Sequence, residues 1–311
     1  MLNFILKRLA LAIPTLIAIS FLVFIAARLT PADPIDIIAG EKATPEIKAR
    51  LRHEYGLDRP PLVQYGNYVG GIVLHGDFGK SFQQGGRSVT ELIKTDFPVT
   101  AQLAIQALLL AMLIGLPAGA LAALYHNSWF DRMMMAVVVA LVSVPSIVLG
   151  PLLVLFVAVK LRWLPTDGWD SPAYTILPTV TLGARSAATL ARFMRASLLD
   201  VLKQDYLRTA IAKGMSRGQA VWRHAIKNSL LPVLTVLGTN FGALLSGSFV
   251  VETIFRVPGI GYASIDSIFK RDYPVIQAMT LLVAVIYILV NLGVDILYGI
   301  VDPRVRSQEA A

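Results

Sequence analysis

Six long apolar runs constrain this chain more than any other feature. They are Leu9 to Ala27, Val99 to Leu124, Met133 to Val159, Ala173 to Met194, Leu230 to Val251 and Val275 to Val301. An α-helix rises 1.5 Å per residue, so about 20 residues cross the hydrocarbon core of a bilayer. Every run is long enough. The third contains no charge; the fourth is weaker, because Arg185 and Arg192 interrupt it. Composition points the same way. The 311 residues are 55% hydrophobic and only 15% charged, whereas soluble domains run near 25% charged. The expected fold is an all-α integral membrane protein with about six transmembrane helices. The first run follows Lys7-Arg8 in the manner of a signal peptide. It is too long for a usual signal core, and no A-x-A-like site follows, so a retained helix is expected.

Loop charge gives the orientation. Residues 1–8, 126–132, 192–227 and 302–311 carry 13 Lys/Arg against 5 Asp/Glu, while residues 28–97, 160–172 and 252–274 carry 14 of each. Arg185 and Asp295 lie within apolar runs and cancel. The net charge of +8 therefore falls on one face, the cytoplasmic one by the positive-inside rule. The basic balance thus calls for no nucleic acid. A multi-pass protein of the cytoplasmic (inner) membrane with both termini in the cytoplasm is expected.

Residues 28–97 are polar and rich in proline (Pro31, Pro34, Pro45, Pro60, Pro61), with helical periodicity at Ile47, Leu51 and Tyr55. So long a segment without helices or strands is unusual, and a folded extracytoplasmic subdomain is expected. The chain then divides into residues 1–97 (first helix and subdomain), 98–301 (transmembrane domain with a cytoplasmic loop at 196–229) and 302–311 (cytoplasmic tail). Proline and glycine punctuate the helices at Pro14, Gly115, Pro117, Pro145, Pro151, Pro178, Gly183, Gly242 and Gly247. This is ordinary membrane-helix composition, or else a pathway lined by bent helices.

Much chemistry is excluded. The chain has no cysteine and 4 histidines without an H-x-x-x-H pair, so no metal site is expected. It lacks H-E-x-x-H, G-x-S-x-G, a dinucleotide fingerprint and the phosphate-binding G-x-x-x-x-G-K-[ST]. No catalytic residue is expected, and any ATP must be bound by another chain.

The loop at 196–229 is the most informative stretch. Leu198, Leu202 and Tyr206 fall at i, i+4 and i+8, as on an interfacial amphipathic helix. Arg208-Thr209-Ala210-Ile211-Ala212-Lys213-Gly214 follows, with Gly214 as a helix C-cap. A second short helix is expected over about 216–226, N-capped by Ser216. Val221/Ala225 and Trp222/Ile226 sit one turn apart in it, beside Arg217, Arg223 and Lys227. The chain then re-enters the membrane at Leu230-Leu231-Pro232. Two short amphipathic helices read either as surface helices on lipid headgroups or as a docking site for a motor.

From Tyr206 to Pro232 the sequence resembles the E-A-A-x-x-x-G loop of binding-protein-dependent ABC importer permeases. The glutamate is absent. Arg208-Thr209-Ala210, Gly214 and His224-Ala225-Ile226-Lys227-Asn228 before Leu231-Pro232 are similar to the dipeptide and oligopeptide (peptide/nickel) branch. The likeness extends to His75-Gly76-Asp77-Phe78-Gly79 with Ser81, Gly56-Leu57-Asp58, Glu252-Thr253-Ile254-Phe255, Pro258-Gly259-Ile260-Gly261, Arg271-Asp272-Tyr273-Pro274-Val275, Asp295-Ile296-Leu297-Tyr298 and Asp302-Pro303-Arg304.

The resemblance implies a type I ABC importer permease fold and a pore-forming subunit that moves peptides by alternating access. It implies a homologous second permease, two ATPase subunits carrying ATP and magnesium, and an extracytoplasmic substrate-binding protein. The ATPase-coupling residues would be Arg208, Thr209, Ala210, Gly214, Ser216, Arg217, Gln219, Trp222 and His224. No cofactor is expected on this chain itself.

Two ionisable residues lie inside apolar runs. Arg185 faces the pathway and attracts a peptide carboxylate, pairs with Asp295, or snorkels to the cytoplasmic edge. Asp295 is expected to be a structural partner. His75 and Asp77 belong to a Gly-rich turn. A proton-coupled secondary transporter is the main alternative, although only Arg185 and Asp295 qualify for a relay.

Overall fold

The computed structural model describes residues 2–29, 33–40 and 43–301. Asp302, Pro303 and Arg304, with the rest of the expected cytoplasmic tail, lie outside the described residues. Among the described residues the secondary structure is helical, and the one β pairing is an isolated bridge between Lys80 and Ser88. The chain divides into two compact units. One comprises Leu6–Thr100 and Pro258–Ile288, the other Ala101–Val257 with described residues 2–5 and 289–301.

The first unit opens with α1 (Leu2–Leu29) from Leu6 onward, then α2 (Pro34–Ala39), α3 (Pro45–Glu54) and α4 (Pro61–His75). The polar stretch after the first run therefore folds, and α3 is the helix that Ile47, Leu51 and Tyr55 predict. Each of these three helices starts with a proline. Its fixed φ suits the first helical position and its missing N–H is not needed there. Tyr65 of α4 ties to α1: its hydroxyl lies 2.8 Å from Ser20 Oγ, and Phe21 and Phe24 pack on its ring. His75 to Gly79 forms the expected turn, in which Asp77 Oδ1 accepts from the Gly79 N–H at 2.9 Å.

Two segments that sequence reading treats as separate signatures meet in this unit. Asp272 is buried between α12 (Ile260–Lys270) and α13 (Tyr273–Val301). Its carboxylate accepts from the Ser81 hydroxyl and, at 3.0 Å, from the Phe82 N–H. Ser81 Oγ in turn accepts from the Gln84 N–H at 2.9 Å. A buried carboxylate is tolerated because donors converge on it.

The second unit holds the remainder of α5 (Val89–Leu124), then α6 (Trp129–Ser143), α7 (Ser146–Leu153), a π-turn at Val154–Lys160, α8 (Pro172–Leu202), α9 (Asp205–Ala212), α10 (Arg217–Ala220), a π-turn at Val221–Ala225, α11 (Ile226–Phe255) and the end of α13. Its centre is α8, buried at Leu182, Gly183, Ala187, Leu190, Ala191, Met194 and Leu198. Between helices in lipid, hydrophobic transfer contributes little and close backbone approach decides the packing. Here α5 and α8 meet through small residues four apart. A Cβ on Gly119 would stand 2.2 Å from the Ala191 carbonyl oxygen, and one on Gly115 2.4 Å from that of Ala187. These glycines therefore serve helix contact.

Asp131, at the start of α6, is buried and gripped by Arg195 of α8, with Nε–Oδ1 at 2.6 Å and Nη2–Oδ2 at 2.7 Å. The Asn127 N–H and His126 approach the same carboxylate.

Four helical stretches are long and apolar enough to cross a membrane: Arg8–Leu29, Val89–Leu124, Arg217–Phe255 and Tyr273–Val294. The run Met133 to Val159, expected as one helix, is broken. Its halves Trp129–Ser143 and Ser146–Lys160 diverge by 103° and make a fifth span only if taken together. The cause is Pro145, which disfavours the helical conformation in its predecessor. Val144 is extended, at φ −88° and ψ 116°. The helix α8 has 31 residues but is less apolar and is not among these spans.

Candidate functional site

The loop residues singled out above form a compact feature between α8 and α11. Leu202 ends α8, and the chain breaks at Lys203 and Gln204 before α9. The expected continuous amphipathic helix over Leu198 to Leu207 is thus two helices. The break changes which side chain is buried: Leu207 is in the core, while Tyr206 is exposed. Tyr206 instead accepts from Asn228 Nδ2 at 2.9 Å, linking α9 to α11. The Arg208–Asp205 pair is 3.7 Å apart and exposed, a geometry that contributes little.

Gly214 terminates α9 as expected. At φ +93° it occupies a conformation glycine adopts freely. The Gly214 N–H donates to the Ile211 carbonyl at 2.9 Å and the Met215 N–H to that of Ala210 at 3.2 Å, the Schellman pattern. Two residues later Ser216 caps α10. Its Oγ accepts from the Gln219 N–H, and Gln219 Oε1 accepts from the Ser216 N–H, both at 3.3 Å. This capping box satisfies two otherwise unpaired donors. The turn between the helices is therefore fixed at both ends.

The second short helix is not separate, however. Through the π-turn at Val221–Ala225 it runs into α11, giving one helical stretch of 39 residues from Arg217 to Phe255. Ala220, Val221 and Ala225 face inward onto Leu190, Met194 and Leu198. The outward side presents Trp222, 75% exposed, with Arg217, Arg223 and Lys227. Ile226, one turn from Trp222, is partly buried against the same core.

Thr209, Ala210, Gly214, Gln219 and His224 line one hollow of about 480 Å³ with Tyr206, Lys213 and Met215. Arg208, Ser216, Arg217 and Trp222 are not in its wall. Arg185 is exposed on α8 although its neighbours Leu182, Gly183, Ala184, Ser186, Ala187 and Ala188 are buried. Its side chain has no ion-pair partner among the described residues. Thr189 and Arg192 continue the same face. The side chain of Asp295 lies outside the described residues. Sequence reading misses the buried Asp131–Arg195 pair: both residues count there as loop charges, and no local feature joins positions 64 residues apart.

Comparison with known proteins agrees with this architecture. The profile described as binding-protein-dependent transport system inner membrane component matches residues 115–307, and the corresponding N-terminal profile matches residues 1–104. The chain belongs to this family. The permease is 46% identical over 306 residues to the glutathione transport system permease protein GsiC of Salmonella typhimurium, covering 98% of this chain and 99% of the relative. It is 45% identical, with the same coverage, to GsiC of Escherichia coli strain K12. An inward-facing structure of the MetNI methionine ABC transporter matches with a TM-score of 0.59 at 18% identity, over 68% of this chain and 97% of that one. An amino acid ABC transporter with histidines matches with a TM-score of 0.55 at 18% identity, over 67% and 94%. These structures bear on the fold, which is that of type I ABC importer permeases.

The permease is therefore a multi-pass inner-membrane subunit of an ABC importer and not an enzyme. ATP hydrolysis resides in partner subunits, and an ATPase and a substrate-binding protein are its general partners. The secondary-transporter alternative is set aside.

Proposed function

We propose that this permease imports small peptides across the cytoplasmic membrane. It pairs with a homologous second permease to form one pathway, and six crossings keep both termini in the cytoplasm. An extracytoplasmic binding protein delivers the peptide above residues 28–97. Two ATPase subunits, which hold ATP and magnesium, dock on the cytoplasmic loop. The chain needs no cofactor of its own.

The observation that carries this reading is the outward side of the Arg217–Phe255 stretch. A large exposed aromatic beside a doubly capped turn is what a partner covers. Because Arg217, Gln219, Trp222 and His224 share one helix with a membrane span, movement of the ATPase is passed along that helix into the span. The absence of cysteine makes the test clean. A photocrosslinker attached at Trp222→Cys is expected to capture a P-loop ATPase in membranes, and one at Ile47→Cys none. Failure of position 222 to capture an ATPase would remove the docking assignment.

The substrate class rests on relatives named for glutathione, a small anionic peptide, and on Arg185. Arg185 is exposed between buried neighbours on α8, and an arginine within a membrane is costly unless it faces a cavity or a partner. Arg185 accordingly meets the carboxylate in transit. Uptake of glutathione by Arg185→Ala should fall about tenfold relative to uptake of a neutral tripeptide, the effect of one charge-assisted contact. Equal losses for both peptides would show that Arg185 does not read charge.

A further inference from the structure

The first unit carries a half-open cavity of about 740 Å³ that the transport reading does not use. Its wall is aromatic at Phe24, Tyr55, Tyr68, Phe78, Phe82 and Tyr273. Its charged members are Arg28, Asp33, Arg52 and Lys80. Asp33 and Arg52 form an ion pair with each other. Arg28 is held by the neutral Gln64 amide and stacks on the Phe24 ring at 4.8 Å. Lys80 has no acidic partner among the described residues. Two positive charges are therefore uncompensated by acids of the wall.

Two tyrosines close the inner side of this wall. Tyr68 and Tyr273 both belong to this wall, and both hydroxyls are buried without a hydrogen-bond partner among the described residues. Tyr273 is 7% exposed. Burial pushes the Tyr68 phenol up, so it remains an O–H donor at neutral pH.

Depth identifies the chemistry. Arg28 lies one residue from the end of the Arg8–Leu29 span, and Tyr273 begins the Tyr273–Val294 span. The cavity thus borders the ends of two helices apolar and long enough to cross a membrane. Basic and tyrosine side chains at that level are placed for lipid headgroups. The outer half of α1 also exposes Leu22 and Leu29, a surface along which acyl chains can lie.

We infer that this cavity binds the headgroup of an anionic phospholipid, with Arg28 and Lys80 meeting the phosphate. The guest is thereby a structural lipid that joins the outer ends of α1 and α13 to the polar helices between them.

Native mass spectrometry of the assembled transporter tests this, after reconstitution in phosphatidylcholine mixed with phosphatidylglycerol. The wild type should retain phosphatidylglycerol in preference to phosphatidylcholine. The double variant Arg28→Gln/Lys80→Gln should retain about tenfold less, and Arg28→Lys/Lys80→Arg should keep most of it. An unchanged far-ultraviolet circular dichroism spectrum shows that the variants are folded. Equal retention by the wild type and the Gln variant, or equal retention of both lipids by the wild type, would overturn the inference. So would displacement of the lipid by glutathione, which would make the cavity a peptide site.

Discussion

Gly119→Ala is expected to destabilise the assembled permease by about 3 kcal/mol, the upper range for overpacking. The added methyl would stand 2.2 Å from the Ala191 carbonyl oxygen, where even close C···O contacts need about 3.3 Å. The obstacle is backbone, not the tip of a flexible side chain, so α5 and α8 must move apart. That opens the whole line of contact through Gly115, Ala187 and Gly183. Gly119→Leu should leave no monodisperse protein at all. Gly66→Ala is the control, because nothing lies within 4 Å of its added methyl. It should be neutral or slightly stabilising. Thermal melts followed by tryptophan fluorescence in detergent will report the order. If Gly119→Ala melts with the wild type, the two helices do not pack backbone to backbone.

Arg195→Met is expected to cost about 3 kcal/mol, the lower end for breaking a buried ion pair, since Arg195 is partly exposed. The carboxylate it leaves behind is Asp131, whose side chain is 3% exposed. Among the described residues, only the Asn127 N–H at 3.0 Å and His126 at 3.4 Å would remain near it. A lysine restores charge but not the two parallel N–H···O bonds, so Arg195→Lys should recover a part only. The double variant Asp131→Leu/Arg195→Met removes the unpaired charge and should recover most of the loss. The same fluorescence melts decide the matter. A double variant no better than Arg195→Met would mean that the pair is not what holds α6 to α8.

Much of this was legible in the sequence because it is local. The apolar runs state their own length, Gly214 and Ser216 lie where helix caps must lie, and Ile47, Leu51 and Tyr55 repeat at helical spacing. The breaks were harder. Pro145 interrupts a charge-free run, and hydropathy does not distinguish a straight crossing from two halves at 103°. Conversely, Pro232 and the polar residues before it read as a boundary, whereas the helix continues across them from Arg217. Tyr206 was favoured over Leu207 by a period that the break at Lys203 resets. Long-range polar contacts leave no local trace: Ser81 and Asp272 are 191 residues apart. Each stood out only within its own signature. The spacing of Ala107, Ala111, Gly115 and Gly119 is a readable sign of close helix contact, but sequence reading names only Gly115, as punctuation, and passes over Gly119.

The Arg217–Phe255 stretch is also a lever with a definite arm. Its 39 residues extend about 58 Å, so a tilt of about 5° displaces one end relative to the other by about 5 Å. The arm is not uniformly stiff. The π-turn at Val221–Ala225 and the missing hydrogen bond at Pro232 place its compliance within a few turns of Trp222. Beyond them, residues 233–255 form an unbroken rod. A small rotation imposed at the Trp222 end is therefore partly taken up by bending near the base, and what remains sweeps the far end through ångströms with little internal rearrangement.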